Sequence, residues 1–191
     1  AFAESGYYAV AMDDIAERAG VSKPVLYQHF ASKLELYLAL VSQALDSLTD
    51  AIASAATRTT DNRERVRATV DAYFAFVDDP EGGAQLVFQS DMLNAPEVRA
   101  LVDRANDTIA HRIAAVITAD TGLLPEQALV LAGGMAGMAE GAAQTWLAEP
   151  SRIPRQEAVD LIVGLAWRGI RSFPLTYPAD ERPAGARSAR T

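Results

Sequence analysis

An all-α fold is what this sequence predicts, a small N-terminal helical module followed by a larger helical domain. Three observations carry that expectation. Apolar residues recur at three- and four-residue steps through the long segments. Proline and glycine punctuate those segments at helix-sized intervals. No stretch alternates apolar and polar residues as a half-buried strand would, and no fixed period suggests a solenoid.

The elements follow in order. Residues 1–5 read as the end of a helix closed by Gly6, a helix without a beginning, so the numbering is expected to start inside an element. Short helices are predicted over 12–19 and 23–30. A long one is predicted over 33–57, where Leu34, Tyr37, Val41, Leu45, Leu48 and Ile52 form one amphipathic stripe. Further helices are predicted over 63–77, 83–93, 96–119, 125–147 and 154–173. The breaks carry turn chemistry: Asp79-Pro80 with Gly82-Gly83, Asn94-Ala95-Pro96, Thr121-Gly122 and Glu149-Pro150-Ser151. Beyond Pro174 the chain turns rich in Pro, Ala, Arg and Asp, and 175–191 reads as a flexible tail.

Composition bounds the class. The chain has 191 residues, half of them hydrophobic, enough for one sizeable core. No apolar run approaches the roughly 18 residues of a membrane span, and no leader is visible, so a cytoplasmic location without membrane contact is expected. Without cysteine there is neither a disulfide framework nor thiolate chemistry. The net charge of -8 sits awkwardly with nucleic-acid binding, although the local field on one face matters more than the total.

The segment from Gly6 to Leu40 is the most informative. Asp13 and Asp14 stand in a first helical turn, where carboxylates favour the positive end of the macrodipole. Ile15, Ala16 and Ala19 supply an inward face, Gly20 a left-handed helix end, Val21 a residue that packs down, and Ser22 an N-cap. Pro24 is tolerated in a first turn. Leu26 and Phe30, four apart, face the core. Lys23, Val25, Tyr27, Gln28 and His29 face away. A buried seam, a glycine turn and a second helix with outward donors are the parts of a helix-turn-helix.

Gly6-Tyr7-Tyr8, the uninterrupted run from Met12 through Phe30, and Ser32-Lys33 strongly resemble the DNA-binding domain of the TetR family. The match covers about the first forty residues without a gap. The resemblance implies a helix-turn-helix DNA-binding domain over 1–40, its first helix truncated, and a helical ligand-binding and dimerisation domain over 41–174. It implies that Lys23, Pro24, Val25 and Gln28 meet base edges in the major groove. Tyr27, His29 and Lys33 would meet phosphates. Two departures stand out. Val10 and Ala11 occupy positions where many relatives carry a Thr or Ser hydroxyl, and the basic arm that often precedes the first helix is missing.

By the same resemblance, the last two helices would pair with those of a second copy. Ala132, Gly133, Gly134, Ala136, Gly137, Ala139, Gly141 and Ala142 suit close helix approach, a cavity or a tightly packed internal core. The final helix offers Ala158, Leu161, Ile162, Leu165, Ala166, Ile170 and Phe173, with Trp167 as a dimer anchor. An effector cavity between the middle helices would be lined by Tyr73, Phe74, Val77, Phe88, Met92, Met135, Met138 and Trp146. Gln89, His111 and Gln144 would be its polar groups. Each of these aromatics and methionines suits ordinary core equally well. The shortage of charge among them favours an apolar or amphipathic effector.

The expected function is a DNA-binding transcriptional regulator without a cofactor, a homodimeric repressor released from a palindromic operator by a small molecule. The alternative keeps the fold but responds to a protein partner, or activates. An enzyme is rejected: no HExxH, GxSxG, P-loop or GxGxxG pattern is present, and only His29 and His111 supply imidazoles. Asp78, Asp79 and Glu81 read as a solvated turn and not as a metal site.

Overall fold

The computed structural model describes residues 1–79, 83–149 and 152–170, and within them every regular element is helical. In chain order these are α1 (Phe2–Ser5), α2 (Met12–Arg18), α3 (Lys23–His29), α4 (Lys33–Thr57), α5 (Asn62–Asp78), α6 (Ala84–Phe88), α7 (Pro96–Thr121), α8 (Pro125–Ala148) and α9 (Arg155–Ile170). The turns predicted at Pro80-Gly82 and Pro150-Ser151, Glu81, the extension of the last helix to Phe173, and the tail 175–191 lie outside the described residues.

Local chemistry explains the helix starts. The Ser32 hydroxyl accepts from Glu35 N at 3.1 Å, while the Glu35 carboxylate accepts from Ala31 N at 2.7 Å. Asp61 caps α5 by accepting from Glu64 N at 2.9 Å. Proline opens α7 and α8. No helix is long and apolar enough to cross a membrane among the described residues.

Two apolar clusters hold the helices together. One joins Leu48 and Ile52 of α4 to Val70 and Phe74 of α5, Ile109 and Ile113 of α7, the buried alanines of α8, and Val159 and Val163 of α9. The other joins Phe2, Met12, Ala16 and Leu26 to Tyr37 and Val41 of α4, Val87 of α6 and Val98 of α7. Apolar packing is therefore continuous across residue 40. Each fully buried Val, Leu, Ile, Phe or Met side chain among them contributes about 1.5–3 kcal/mol.

α6 ends at Phe88, five residues before the predicted end. Its continuation is diverted because the Ser90 hydroxyl accepts from Met92 N at 3.1 Å and Ala95 N bonds to Met92 O at 2.9 Å, a run of turns. The start of α6 lies so close to α4 that a Cβ on Gly83 would sit 2.0 Å from that of Ala44. The small residues of α8 divide by type. Ala128, Ala132, Ala139 and Ala143 are buried, whereas Gly133, Gly134, Gly137 and Gly141 have nothing among the described residues within 4 Å of where a Cβ would stand. Those glycines are therefore not the tightly packed internal core that was one reading of them.

Candidate nucleic-acid interface and effector cavity

α2 and α3 meet across a tight turn. Gly20 takes φ 68, the left-handed conformation that its Cβ-free backbone adopts without strain, and Val21 N returns to Ala16 O at 3.0 Å. Ala16 and Leu26 form the seam, with Phe30 packed beside them. Three local expectations are corrected. Ala19 faces solvent. Val21 is 39% exposed, because the turn carries it past the seam. Ser22 occupies the N-cap of α3 with extended backbone, but its hydroxyl makes no capping bond. At α2 the N-cap is Ala11, without a capping hydroxyl, and Asp14 accepts from Ala11 N at 3.1 Å.

Lys23, Pro24, Val25, Tyr27, Gln28 and His29 all lie on the exposed surface of α3. The Lys23 ammonium is held by Asp13 at 2.8 Å, and that hydrogen-bonded pairing raises its pKa above the usual lysine value. Between Arg18 and Leu34 the sequence contains Arg18, Lys23 and Lys33 and no carboxylate. Lys33 does not join the exposed array. Its ammonium donates to Tyr7 O at 2.8 Å and Val10 O at 2.9 Å and lies 4.5 Å from the Tyr7 ring centroid, so it ties the α1–α2 loop to α4. Tyr8, part of the family pattern but given no contact in the sequence, stands 72% exposed on that loop, edge-on to Tyr7.

A cavity of about 260 Å³ opens between α5, α7, α8 and α9. Its walls include Val66, Ile113, Ile117, Leu131 and Met135, with Trp167 from α9. Asn62, Arg65 and Asp120 stand at one end; Arg65 pairs with Asp120 and donates from Nε to Thr59 O at 2.6 Å. A second, smaller space lies beside it, bounded by Tyr73, Met138 and Ala139 and sharing Val66, Thr69, Ile113 and Met135 with the first.

Of the predicted lining residues, Tyr73, Met135 and Met138 border these spaces, and the remaining ones do not. Phe74 is fully buried against Trp146, 5.7 Å between centroids. Trp146 donates from Nε1 to Ile153 O at 2.7 Å and carries the Arg152 guanidinium on its ring, so it secures the approach to α9. Phe88 packs between Tyr73 and Phe76, and Val77 is core. Met92 belongs to the N-terminal cluster, and Gln89 is exposed. His111 faces solvent and bonds to Asp107 O, while Gln144 donates to Glu140 at 3.2 Å. Trp167, expected at a dimer contact, lines the cavity. Asn62, Val66, Thr69 and Tyr73, spaced four, three and four on α5, were the legible sign of this wall.

Among the described residues no group of His, Asp or Glu could hold a metal ion. A family model described as bacterial regulatory proteins, tetR family, matches residues 1–40, and one described as tetracyclin repressor-like, C-terminal domain, matches 62–169. The chain is 42% identical over 175 residues to the HTH-type transcriptional activator FasR of Mycolicibacterium smegmatis, covering 92% of this chain and 80% of that one. Among solved structures, a tetR-family regulator from Streptomyces coelicolor matches with a TM-score of 0.70 and 27% identity, over 90% of this chain and 75% of that one. FadR of Bacillus subtilis, solved in complex with stearoyl-CoA, matches with a TM-score of 0.68 and 15% identity, over 86% of this chain and 91% of that one. With both halves of the chain matched and the helix-turn-helix in place, the protein belongs to the TetR family of bacterial transcription regulators.

Proposed function

We propose that this regulator binds a palindromic operator as a homodimer and is released from it by an apolar or amphipathic effector held in the cavity between α5, α7, α8 and α9. The observation that carries the DNA half is the exposed array on α3, set in a stretch without a carboxylate. Lys23 and Gln28 have the donors for base edges, Val25 can meet a thymine methyl, and Tyr27 and His29 can donate to phosphates. Dimerisation is supported by the open faces of α8 and α9, where Val130 is 76% exposed and Leu161 and Leu165 62% each. Two recognition helices would then sit about 34–36 Å apart or at a related wider spacing.

The effector half is supported by a mainly apolar cavity with its charged groups, Arg65 and Asp120, at one end. FadR shows that the fold can hold an acyl thioester. An effector that prefers one separation of the two α3 helices changes operator affinity by its differential binding, and DNA weakens effector binding in return. Release from an operator that blocks a promoter relieves repression. The name of the FasR relative favours a second reading, in which the bound dimer promotes transcription and release ends it.

Selection of bound sequences from random duplexes at fixed salt tests the DNA half. A palindromic site should emerge. Lys23→Ala should then cost about 1–3 kcal/mol and relax preference at one position, while Tyr27→Ala should weaken all sequences alike. No enriched site from a chain that unfolds cooperatively would overturn this reading. In vitro transcription from that site separates repression from activation.

A further inference from the structure

The geometry points to Met135 as the divider of a two-chambered effector channel, the residue that sets how long an unbranched acyl chain the regulator accepts. This rests on the reading above that the cavity takes an apolar or amphipathic effector. The outer chamber, about 260 Å³, has its polar end at Asn62, Arg65 and Asp120. The inner one, about 20 Å³, is closed by the Tyr73 ring and Met138. Four residues border both: Val66, Thr69, Ile113 and Met135.

Three of those four are β-branched: χ1 of Val66 and Ile113 is held at one rotamer and that of the short Thr69 at one of two, so none of them swings far without moving backbone. Met135 is unbranched, with three rotatable bonds, and can swing aside. The inner chamber alone has room for about one water, and its walls are largely apolar, which makes it a poor water site. Joined to the outer chamber it extends one channel along α5, from Asn62 to Tyr73, eleven residues or about 16 Å. A narrow channel that is polar at one end and apolar along its walls suits a straight chain with its carboxyl derivative at the Arg65 end. Such a chain fills the outer chamber first. Further methylenes bind only when the Met135 side chain yields.

Calorimetric titration of the full chain tests this, with saturated straight-chain probes from octanoyl to octadecanoyl, as free fatty acids and, in a second arm, as CoA thioesters. Wild-type affinity should rise about fourfold per added methylene and then break at one length. Met135→Ala should move the break to longer chains by at least two methylenes, with a tenfold or greater gain for the first chain past the wild-type break. Met135→Phe should move it to shorter chains. Both arms should break at the same length, since the chain alone meets Met135. Met135→Val, with an intermediate shift, serves if the alanine variant loses its cooperative melt. A wild-type break that no Met135 substitution moves, or arms that break at different lengths, would overturn the role of Met135 while leaving the effector reading intact. No binding by any probe in either arm would instead remove the straight-chain acyl effector, and this inference with it.

Discussion

Glu140 is a half-buried carboxylate on α8, one helical turn from Gln144, whose Nε2 donates to its Oε1 at 3.2 Å, with Asn106 Nδ2 at 3.5 Å from Oε2. Burial pushes its pKa above the ordinary carboxylate range, and the bond from Gln144 only partly offsets this. Tyr73 stands near enough to feel that charge; burial first and Glu140 second push its phenol far up, so it stays neutral. A pKa raised on folding means that stability from Glu140 is fully present below the ordinary carboxylate value and lost as pH rises through the raised one. Glu140→Gln should therefore unfold at a higher temperature than wild type near neutral pH, by at most about 2–4 °C, and the difference should vanish as pH falls through the weakly acid range. Thermal melts across that range measure it, and a gap that widens in acid would contradict the assignment. Glu140 was legible in the sequence only as one polar position on an apolar helix. What makes it matter is the approach of Asn106 and Tyr73 from other helices. Lys33 is a parallel case: a lysine opening a helix reads as a phosphate contact, and the carbonyls that engage it lie 26 and 23 residues away.

At the scale of elements, the α6–α7 turn grips the DNA-binding module. Asp91 accepts from Tyr7 N at 3.0 Å and Tyr8 N at 3.2 Å, and the Tyr37 hydroxyl lies 2.9 Å from Leu86 O and 2.6 Å from Ser90 Oγ. Burial raises the Asp91 pKa, but the bonds from Tyr7, Tyr8 and Ser90 outweigh it and hold the carboxyl below its ordinary range. With a depressed pKa the stabilisation is present above the ordinary carboxylate value and lost only as pH falls through the lowered one, so the grip is closed at neutral pH. The same end of α6 touches the wall of the inner space, because Phe88, its last residue, lies 6.4 Å from Tyr73, ring to ring. An effector that shifts Tyr73 would thus pull on the loop that holds α1 and α2. Asp91→Ala should leave effector affinity of the free protein within about twofold while shrinking the effector's action on operator affinity, which for coupled sites is typically about 5–150-fold. Operator titrations with and without effector read this, and an unchanged ratio would show that coupling runs elsewhere. These bonds also explain what the sequence hid. The 25 residues of α4 were legible end to end, since the cap at Ser32 and the apolar stripe are local. Met92 and Leu93 continue the helical spacing of α6, yet Ser90 and Asp91 turn the chain by bonds that include partners more than eighty residues away. Phe74, Trp146 and Trp167 show the same limit, for helical spacing says that an aromatic is inside without saying which void it borders.

The whole molecule carries 25 acidic against 17 basic residues, so the operator binding proposed above would have to draw on one favourable face presented twice. On that proposal the burden falls on the dimer, and α8 offers an argument for where it would form. Four interior glycines each cost a helix about 1 kcal/mol relative to alanine, and among the described residues nothing comes within 4 Å of where a Cβ on Gly133, Gly134, Gly137 or Gly141 would stand to offset that. Val130, Leu161 and Leu165 leave apolar surface on the same two helices. Packing by a second copy would offset both costs at once. Gly137→Leu separates the alternatives because they differ in sign. In an isolated protomer the leucine meets open space and improves helix propensity, so the chain should become slightly more stable. If this surface is the dimer interface, the same side chain holds the helices apart. Sedimentation should then show at least a tenfold weaker dimer, and affinity for a full palindrome should fall toward that for a half-site, although α3 is untouched. A Gly137→Leu protein that stays dimeric and keeps its operator affinity would move the interface off α8, and would leave those glycines without a physical account.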